Sequence, residues 1–257
     1  SETLDAGSGK GGMFLLRGIY SAACGMRAQE TRQSLITNNL ANVATPGFKR
    51  DVGVGESFSE MVVRSGRTPV GRLGMTSAIT SAYFDMSEGS VSNTDCPYDF
   101  AIEGEGFFAV ETGWGVRYTR AGNFRLDTES FLVTADGHRV LGEDGPIRVD
   151  GQLVVNSEGL LYSGGREIGR LQVVVPENPD TLAKEGGGLF AAAGGMVPAG
   201  PEEFFVVQGA LELSNISVVR EMVDMIAGYR IYEAAQRALL SHDACLDRAI
   251  NEVGRVG

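Results

Sequence analysis

The residues that could carry catalytic or metal chemistry in this chain are few and widely separated. It has two histidines, His138 and His242, and three cysteines, Cys24, Cys96 and Cys245. His242 and Cys245 lie three positions apart, so a helix would place them on one face and supply half of a metal site. No further ligands follow at a suitable spacing, and three scattered cysteines do not make a disulfide framework. We therefore expect no metal site.

Other patterns that could indicate an enzyme are incomplete. Gly104-Glu105-Gly106 is a G-x-G run without a third glycine or a following helical pattern, which argues against a dinucleotide cofactor. The adjacent Glu202 and Glu203 lie in a polar stretch that is expected to be exposed, which argues against a catalytic pair of carboxylates. The sequence contains neither a P-loop nor a His-Glu-x-x-His motif. We expect no catalytic residues, no cofactor and a protein that is not an enzyme.

The charge of the chain is unevenly distributed and excludes two further classes. The net charge is −11, and the stretch 51–216 alone carries −13, from eleven basic and twenty-four acidic residues. Such an acidic surface repels phosphate, so we expect no binding to nucleic acid. No run approaches the roughly 18 apolar residues that a membrane-spanning helix needs, so we expect no membrane insertion.

The N-terminal region contains two weak likenesses to targeting signals. Met13-Phe14-Leu15-Leu16 begins like a signal peptide, and residues 21–24 faintly resemble a lipoprotein cleavage site. Arg17 and Gly18 interrupt the apolar run, which is too short for a signal peptide, so we expect no cleaved signal. Residues 1–12 are polar and rich in glycine, and we interpret them as a remnant of cloning or a flexible extension before a native start at Met13.

The elements that must position the remaining residues begin and end with helices. Between residues 16 and 43 apolar or small residues recur at helical spacing, and Thr45-Pro46-Gly47 ends the pattern. Residues 217–253 predict a second long helix, with Ser217 as its N-cap and Gly254 as its stop. Its residues Val219, Met222, Ile226 and Tyr229 step by three, four and three positions, as in a coiled-coil seam.

The middle of the chain, residues 51–213, has short apolar runs separated by glycines. Strands are predicted at 107–110, 116–120, 171–175 and 204–207. Asp136-Gly137 and Asp150-Gly151 each favour a tight turn, which predicts hairpins over 131–141 and 147–155. No helical pattern separates these strands, so an antiparallel meander or barrel is favoured over a parallel sheet.

These patterns together predict an α+β protein in two parts. Long N- and C-terminal helices would pair as a coiled-coil-like axial core from residues 13–50 and 214–257, and residues 51–213 would form a β-rich antiparallel outer domain. The apolar seams are narrow, and an isolated helix pair would bury little and fray. We expect the helices to become ordered on assembly with neighbouring subunits. The alternative is that both helices fold back over one intramolecular core.

Four separate motifs, covering residues 13–256 in order, resemble the flagellar basal-body rod and hook family. The first runs from Gly18-Ile19-Tyr20 to Thr45-Pro46-Gly47-Phe48-Lys49-Arg50. The others occupy residues 99–108, 118–124 and 209–233. The chain looks most like the proximal-rod subunit and close to the distal-rod subunit. Cys24 stands where a serine-like residue is usual, and Glu129-Ser130 replaces a turn that usually contains glycine.

The resemblance implies a structural role. It implies export through the flagellar type III apparatus, a place in the rod that spans the periplasm, and polymerisation through the terminal helices into part of the drive shaft. The implied partners are other proximal and distal rod subunits, copies of the chain itself and the flagellar export apparatus. Two alternatives stay open: a distal-rod or hook-type axial subunit, and a β-domain binding module unrelated to flagella.

The residues expected at contacts between subunits lie in or beside the two helices. Asparagines near the end of the first helix could bond backbone groups of their own turn or of a neighbour. Methionine and tyrosine suit interfaces with several related partners. The predicted interface residues are Ile19, Met26, Ile36, Asn38, Asn39, Leu40, Asn42, Val43, Phe48, Val219, Met222, Met225, Ile226, Tyr229, Arg230, Tyr232 and Leu240.

Overall fold

The structure is a computed structural model that describes residues 8–56, 61–65, 68–73, 78–200 and 202–253. Helix α1 spans Ser8–Ala41 and helix α2 spans Val218–Val253. The C-terminal helix matches its predicted bounds within one residue. The N-terminal helix begins eight residues before the predicted start and ends just before the Thr45-Pro46-Gly47 turn, where proline disfavours helix.

Short strands occupy the chain between the helices, and the α+β class is confirmed. The first part contains β1 Asp51–Glu56, β2 Met61–Ser65, β3 Thr68–Leu73, β4 Ala78–Phe84, β5 Val91–Asn93, β6 Phe100–Gly104 and β7 Phe107–Thr112. The second contains β8 Gly115–Thr119, β9 Arg125–Leu126, β10 Leu132–Val133, β11 Arg139–Gly142, β12 Gly145–Pro146, β13 Leu153–Val155 and β14 Leu160–Ser163. The third contains β15 Arg166–Arg170, β16 Val173–Pro176, β17 Leu182–Gly186, β18 Leu189–Ala192, β19 Met196–Pro198, β20 Phe204–Gln208 and β21 Ala210–Glu212, with a 3-10 turn at Pro179–Thr181.

The chain divides into two compact units. The first, here called the helical unit, comprises Ser1–Leu40, Asp51–Tyr83 and Val218–Gly257. The second, the β unit, comprises Ala41–Arg50 and Phe84–Ser217. Strands pair as β1-β4 and as the antiparallel hairpin β2-β3, both before residue 85.

The β unit is built around one antiparallel sheet of ten strands. Its main path runs β17-β18-β8-β7-β11-β10-β9, with β12 on β11 and with β16 between β7 and β19. A three-stranded sheet β13-β14-β15 and the pairs β20-β6 and β21-β5 complete the unit. The predicted hairpin around Asp136-Gly137 is confirmed, since Val133 pairs with Arg139 and Gly137 takes a φ of +89°.

The second predicted hairpin is wrong. Strand β13 pairs with β14 across the Ser157–Gly159 turn, with Leu153 opposite Ser163, rather than with residues 147–149. Ile147 and Val149 are buried in the core instead. The turn at Asn156 explains why β13 pairs with β14, because the side-chain oxygen of Asn156 accepts hydrogen bonds from the backbone N–H groups of Glu158 and Leu160.

The core of the β unit is apolar and closely packed. Phe108 and Phe124 stack edge to face with ring centroids 5.2 Å apart, and Phe100 lies 5.9 Å from the same Phe124 ring. A second cluster joins Phe107, Phe190 and Leu182. The other fully or nearly fully buried members of the main cluster include Ile102, Val110, Leu132, Val140, Leu153, Leu161 and Leu171. This core supplies a rigid base for the segments on its surface.

Candidate assembly interface

One face of helix α2 is covered by the rest of the chain. The less exposed residues follow one another at steps of four and three, and we call them the α2 ridge: Glu221, Met225, Gly228, Tyr232, Ala235 and Leu239. Glu221 is fully buried. Steps of four and three keep residues on one side of a helix, so the ridge faces a single partner surface.

Helix α1 has a matching covered face, and the two helices touch. Among its less exposed residues, one series again steps by four and three: Ala22, Met26, Gln29, Gln33, Ile36 and Leu40. A β-carbon placed on Gly228 would lie 3.2 Å from Oε1 of Gln29 and 3.4 Å from Oε1 of Gln33. Arg32 and Asp224 form an ion pair at 4.0 Å. Glycine at position 228 therefore allows the polar side chains of α1 to approach the α2 backbone.

A second, apolar face of α2 lies in solvent. We call it the α2 stripe: Val219, Met222, Val223, Ile226 and Tyr229. Val219 is 73% exposed, Ile226 56% and Tyr229 60%. Contiguous exposed apolar surface on a folded chain marks a site of interaction with another molecule. Four of these five residues are among the predicted interface residues.

The remaining predicted interface residues divide by exposure. Arg230, Leu240 and Asn38 are exposed. Met26, Leu40, Asn42, Val43, Met225 and Tyr232 are half-buried within the chain, and Ile36, Asn39 and Phe48 are buried. The backbone of Ile19 is helical, and its side chain lies outside the described residues.

The asparagines at the end of α1 bond to the chain's own first strand. The Nδ2 of Asn39 donates to the carbonyl of Asp51 at 2.9 Å, and the Asp51 N–H donates to Oδ1 of Asn39 at 2.8 Å. Asn38 donates to the Asp51 carboxylate at 2.9 Å. The Oδ1 of Asn42 accepts from the Thr45 hydroxyl at 3.3 Å. The Asn39 amide therefore satisfies both backbone groups of one residue, as a neighbouring strand would.

A buried group of three charges joins distant parts of the β unit. We call Lys49, Arg120 and Glu212 the charge cluster. Nζ of Lys49 lies 2.7 Å from Oε1 of Glu212, and Nη1 of Arg120 lies 3.2 Å from Oε2. All three side chains are at most 5% exposed. The three residues come from segments far apart in the sequence, so this cluster fastens the ends of the β unit to its centre.

Backbone groups complete the charge cluster. The Gly89 N–H also donates to Oε1 of Glu212 at 2.9 Å, and Lys49 donates to the Ser87 carbonyl at 2.9 Å. Arg120 donates to the carbonyls of Ile102 and Gly104. Burial lowers the pKa of Lys49, and the attraction of Glu212 opposes that shift. The carboxylate of Glu212 therefore holds two buried cations in place.

Phe48 lies under a second lysine of the β unit. The ammonium of Lys184 sits 3.9 Å from the centroid of the Phe48 ring and donates to the Lys49 carbonyl. The Gly47 N–H donates to the Glu212 carbonyl at 2.8 Å. The segment after α1 is thus held by the chain itself, and Phe48 anchors it to Lys184. Its predicted contact with a neighbouring subunit stays a prediction.

Sequence reasoning missed the charge cluster and the exact set of exposed α2 residues. Lys49 and Glu212 stand in two of the motifs that carry the resemblance, but their pairing depends on a fold that brings residues 163 positions apart together.

Within the described part of the chain, no helix is long and apolar enough to cross a membrane.

Three family models match separate parts of the chain. Residues 19–49 match the family described as "Flagella basal body rod protein". Residues 101–188 match "Flagellar hook protein FlgE/F/G D1 domain", and residues 207–252 match "Flagellar basal body rod FlgEFG protein C-terminal". The second and third matches hold Arg120 and Glu212, respectively.

Whole-length relatives agree with these matches. The chain is 31% identical to the flagellar hook-basal body complex protein FlhO of Bacillus subtilis over 94% of this chain and all of the relative. It is 31% identical to the flagellar basal-body rod protein FlgG of the same organism, over 92% of this chain and 99% of the relative. It is also 31% identical to the flagellar basal-body rod protein FlgF of Caulobacter vibrioides, over 86% of this chain and 91% of the relative.

Proposed function

Because the chain belongs to the family of flagellar basal-body rod proteins, we propose that it polymerises through its terminal helices to form part of the rod. Membership makes it a structural subunit of the flagellum and not an enzyme, located in the basal-body rod and in contact with other basal-body components. The alternative of a β-domain binding module unrelated to flagella is rejected on the same ground.

The α2 stripe is the single observation that carries the proposal of polymerisation. A lone subunit covers the α2 ridge and leaves the stripe in water, although the stripe is the more apolar of the two faces. Fully burying a valine, isoleucine or methionine side chain is worth about 1.5–3 kcal/mol. A neighbouring helix placed on the stripe would gain that free energy, and the free subunit does not.

We further propose that the terminal helices and the middle of the chain form different parts of the assembled rod. Residues 13–50 and 214–257 would form the helical axial core, with α1 and α2 paired in a coiled-coil-like manner, and residues 51–213 would form the outer domain. The matching steps of four and three in the covered faces of both helices support the pairing. The partners would be proximal and distal rod subunits and copies of the chain, delivered by the flagellar export apparatus without a cleaved signal peptide.

Substitution of the stripe tests polymerisation. Met222→Ser together with Ile226→Ser should raise the concentration needed for assembly at least about tenfold, because two buried apolar side chains are lost from each contact. Val154→Ser is a matched control, since Val154 in β13 is 48% exposed and Met222 49%. Sedimentation and electron microscopy of the purified chain, and motility of cells carrying the variants, are the measurements. Normal assembly of the stripe variant with an unchanged fold would refute the proposal.

Binding assays distinguish the proposed position in the rod. We propose the proximal rod, next to the distal rod, and the distal-rod and hook-type positions are the alternatives. Purified chain immobilised at one end should bind both a proximal and a distal rod subunit. Binding to hook subunits alone would contradict the proximal assignment and leave the structural role intact.

A further inference from the structure

The single tryptophan of the chain lies at the tip of a hairpin and faces water. Trp114 is 80% exposed in the two-residue turn between β7 and β8. Val116, two residues further on, is 43% exposed. Tryptophan is among the residues most enriched at the energetic centres of protein interfaces. We call Trp114 and Val116 the hairpin knob.

Hydrogen bonds hold the backbone of the turn that carries the hairpin knob. The Thr112 hydroxyl donates to the Gly115 carbonyl at 2.7 Å, and the Trp114 N–H donates back to that hydroxyl at 3.3 Å. Nη1 of Arg117 donates to the Trp114 carbonyl, and its guanidinium is fixed in turn by two hydrogen bonds to Glu185. At the base of the hairpin, β7 is buried in the core. A turn whose backbone is ordered before binding loses less entropy when its exposed side chain binds a partner.

The same unit carries an open cleft of about 210 Å³ beside the Thr45-Pro46 turn. A cavity of about 150 Å³ accepts one benzene molecule, so this cleft has room for an indole ring. Pro46, Ala121 and Leu189 supply apolar walls, and Asn123 and Asp136 supply oxygen acceptors. We call it the Pro46 cleft.

The Asp136 carboxylate gives the Pro46 cleft an acceptor for an indole N–H. Its Oδ2 lies 3.2 Å from where a β-carbon on Gly187 would stand, inside the cleft lining. Over the residues that the structure describes, Asp136 makes no hydrogen bond or ion pair. A buried tryptophan N–H needs an acceptor, and a carboxylate is the strongest available.

We propose that Trp114 of one subunit inserts into the Pro46 cleft of a second copy of the chain. In one subunit Trp114 is exposed, so it does not occupy its own cleft, and knob and cleft are different surfaces. A contact between two different surfaces is heterologous, and unless it closes into a ring it generates an open filament. The proposal rests on the proposed polymerisation and adds a contact between β units to it.

Because the chain has one tryptophan, its tryptophan fluorescence reports on the surroundings of Trp114, and variants of the Pro46 cleft identify the contact. As the concentration of the full chain rises into the range where it sediments as an assembly, Trp114 emission should shift to shorter wavelength and acrylamide should quench it less. Ala135→Phe fills the exposed rim of the Pro46 cleft and should abolish the shift. Gln152→Phe, at an exposed position outside the cleft, should leave it intact.

A second variant measures the strength of the contact. Trp114→Ala should weaken association about 30-fold, the loss for an interface residue worth 2 kcal/mol. Because the side chain is exposed, circular dichroism of the free variant should be unchanged.

Three outcomes would overturn the proposal. The first is assembly with Trp114 still fully quenchable, which would refute this contact while leaving polymerisation through the α2 stripe standing. The second is a shift that survives Ala135→Phe, which would place the indole elsewhere. The third is a shift produced by soluble glycan fragments rather than by protein concentration, which would assign the knob to a carbohydrate. Loss of assembly in the stripe variant, with normal Trp114 exposure in the free chain, tests the proposed function separately.

Discussion

Replacing Glu212 by glutamine should strongly destabilise the β unit. The change keeps the size of the side chain and removes its negative charge. Lys49 and Arg120 would then be two buried cations without a counter-ion, and the new amide group would present its own donors to one of them. Breaking a buried ion pair by removing one partner costs about 3–5 kcal/mol.

The pH dependence of that loss follows from the pKa of Lys49. Burial already lowers this pKa in the folded chain, while the unfolded chain keeps the ordinary value of 10.5. Because the unfolded state then binds the proton more strongly, stability rises as the pH rises through the interval between the two values. Without Glu212 the folded pKa falls further and this interval widens. The deficit of Glu212→Gln should therefore be largest near neutral pH and shrink at mildly alkaline pH.

Urea unfolding followed by circular dichroism, at several pH values, measures the deficit. Glu103→Gln is the control, since Glu103 is an exposed glutamate of β6 in the same unit, and it should change stability by less than about 0.5 kcal/mol. Adding Lys49→Met to Glu212→Gln should recover part of the lost free energy of unfolding, because it removes one of the two buried cations that lack a counter-ion. A deficit under about 1 kcal/mol, or a loss that simply adds when both residues change, would refute the description of the charge cluster.

Two further predictions concern single side chains. Asn39→Ala should cost about 1–3 kcal/mol, because it removes the two hydrogen bonds between the Asn39 amide and the Asp51 backbone. Hydrogen exchange of the Asp51 amide measures the loss, and equal protection in Asn38→Ala and Asn39→Ala would contradict it. Ser130→Gly should stabilise the β unit by about 0.5–1 kcal/mol. Ser130 has a φ of +66°, and the strain of this left-handed conformation in a non-glycine residue is larger than the entropy that glycine adds to the unfolded chain. Thermal unfolding measures the gain, and a matching gain in Ser130→Ala would exclude this cause.

Local patterns were sufficient to predict the elements that depend on neighbours in sequence. Both helices, the stop at Thr45-Pro46-Gly47 and the hairpin around Asp136-Gly137 follow from spacing and turn chemistry. The hairpin at Asp150-Gly151 failed because a turn signal says only that the chain can reverse, not which strands then pair. Asn156 supplies a competing turn, and burial of Ile147 and Val149 decides between the two.

Long-range polar contacts could not be predicted in the same way. Nothing near Lys49 in the sequence indicates that it will be buried, and an isolated lysine is usually exposed. Its position becomes favourable only when Glu212 arrives from the far end of the β unit, with Gly89 and Arg120 completing the coordination of the carboxylate. Such a site is a property of the tertiary fold, so the motifs that contain these residues can be recognised while their contact remains hidden.

The two faces of α2 explain why the sequence pattern predicts the exposed apolar seam and not the face that contacts α1. The stripe residues Met222, Ile226 and Tyr229 each follow a ridge residue by one position, which turns them about 100° around the helix. The ridge carries the buried Glu221 and Gly228, and Gly228 contributes close approach to α1 rather than apolar area. A pattern search favours the stripe because it is the more hydrophobic face. The folded chain shields the other face and leaves the most hydrophobic surface of the helix exposed, where we propose that a neighbouring subunit binds.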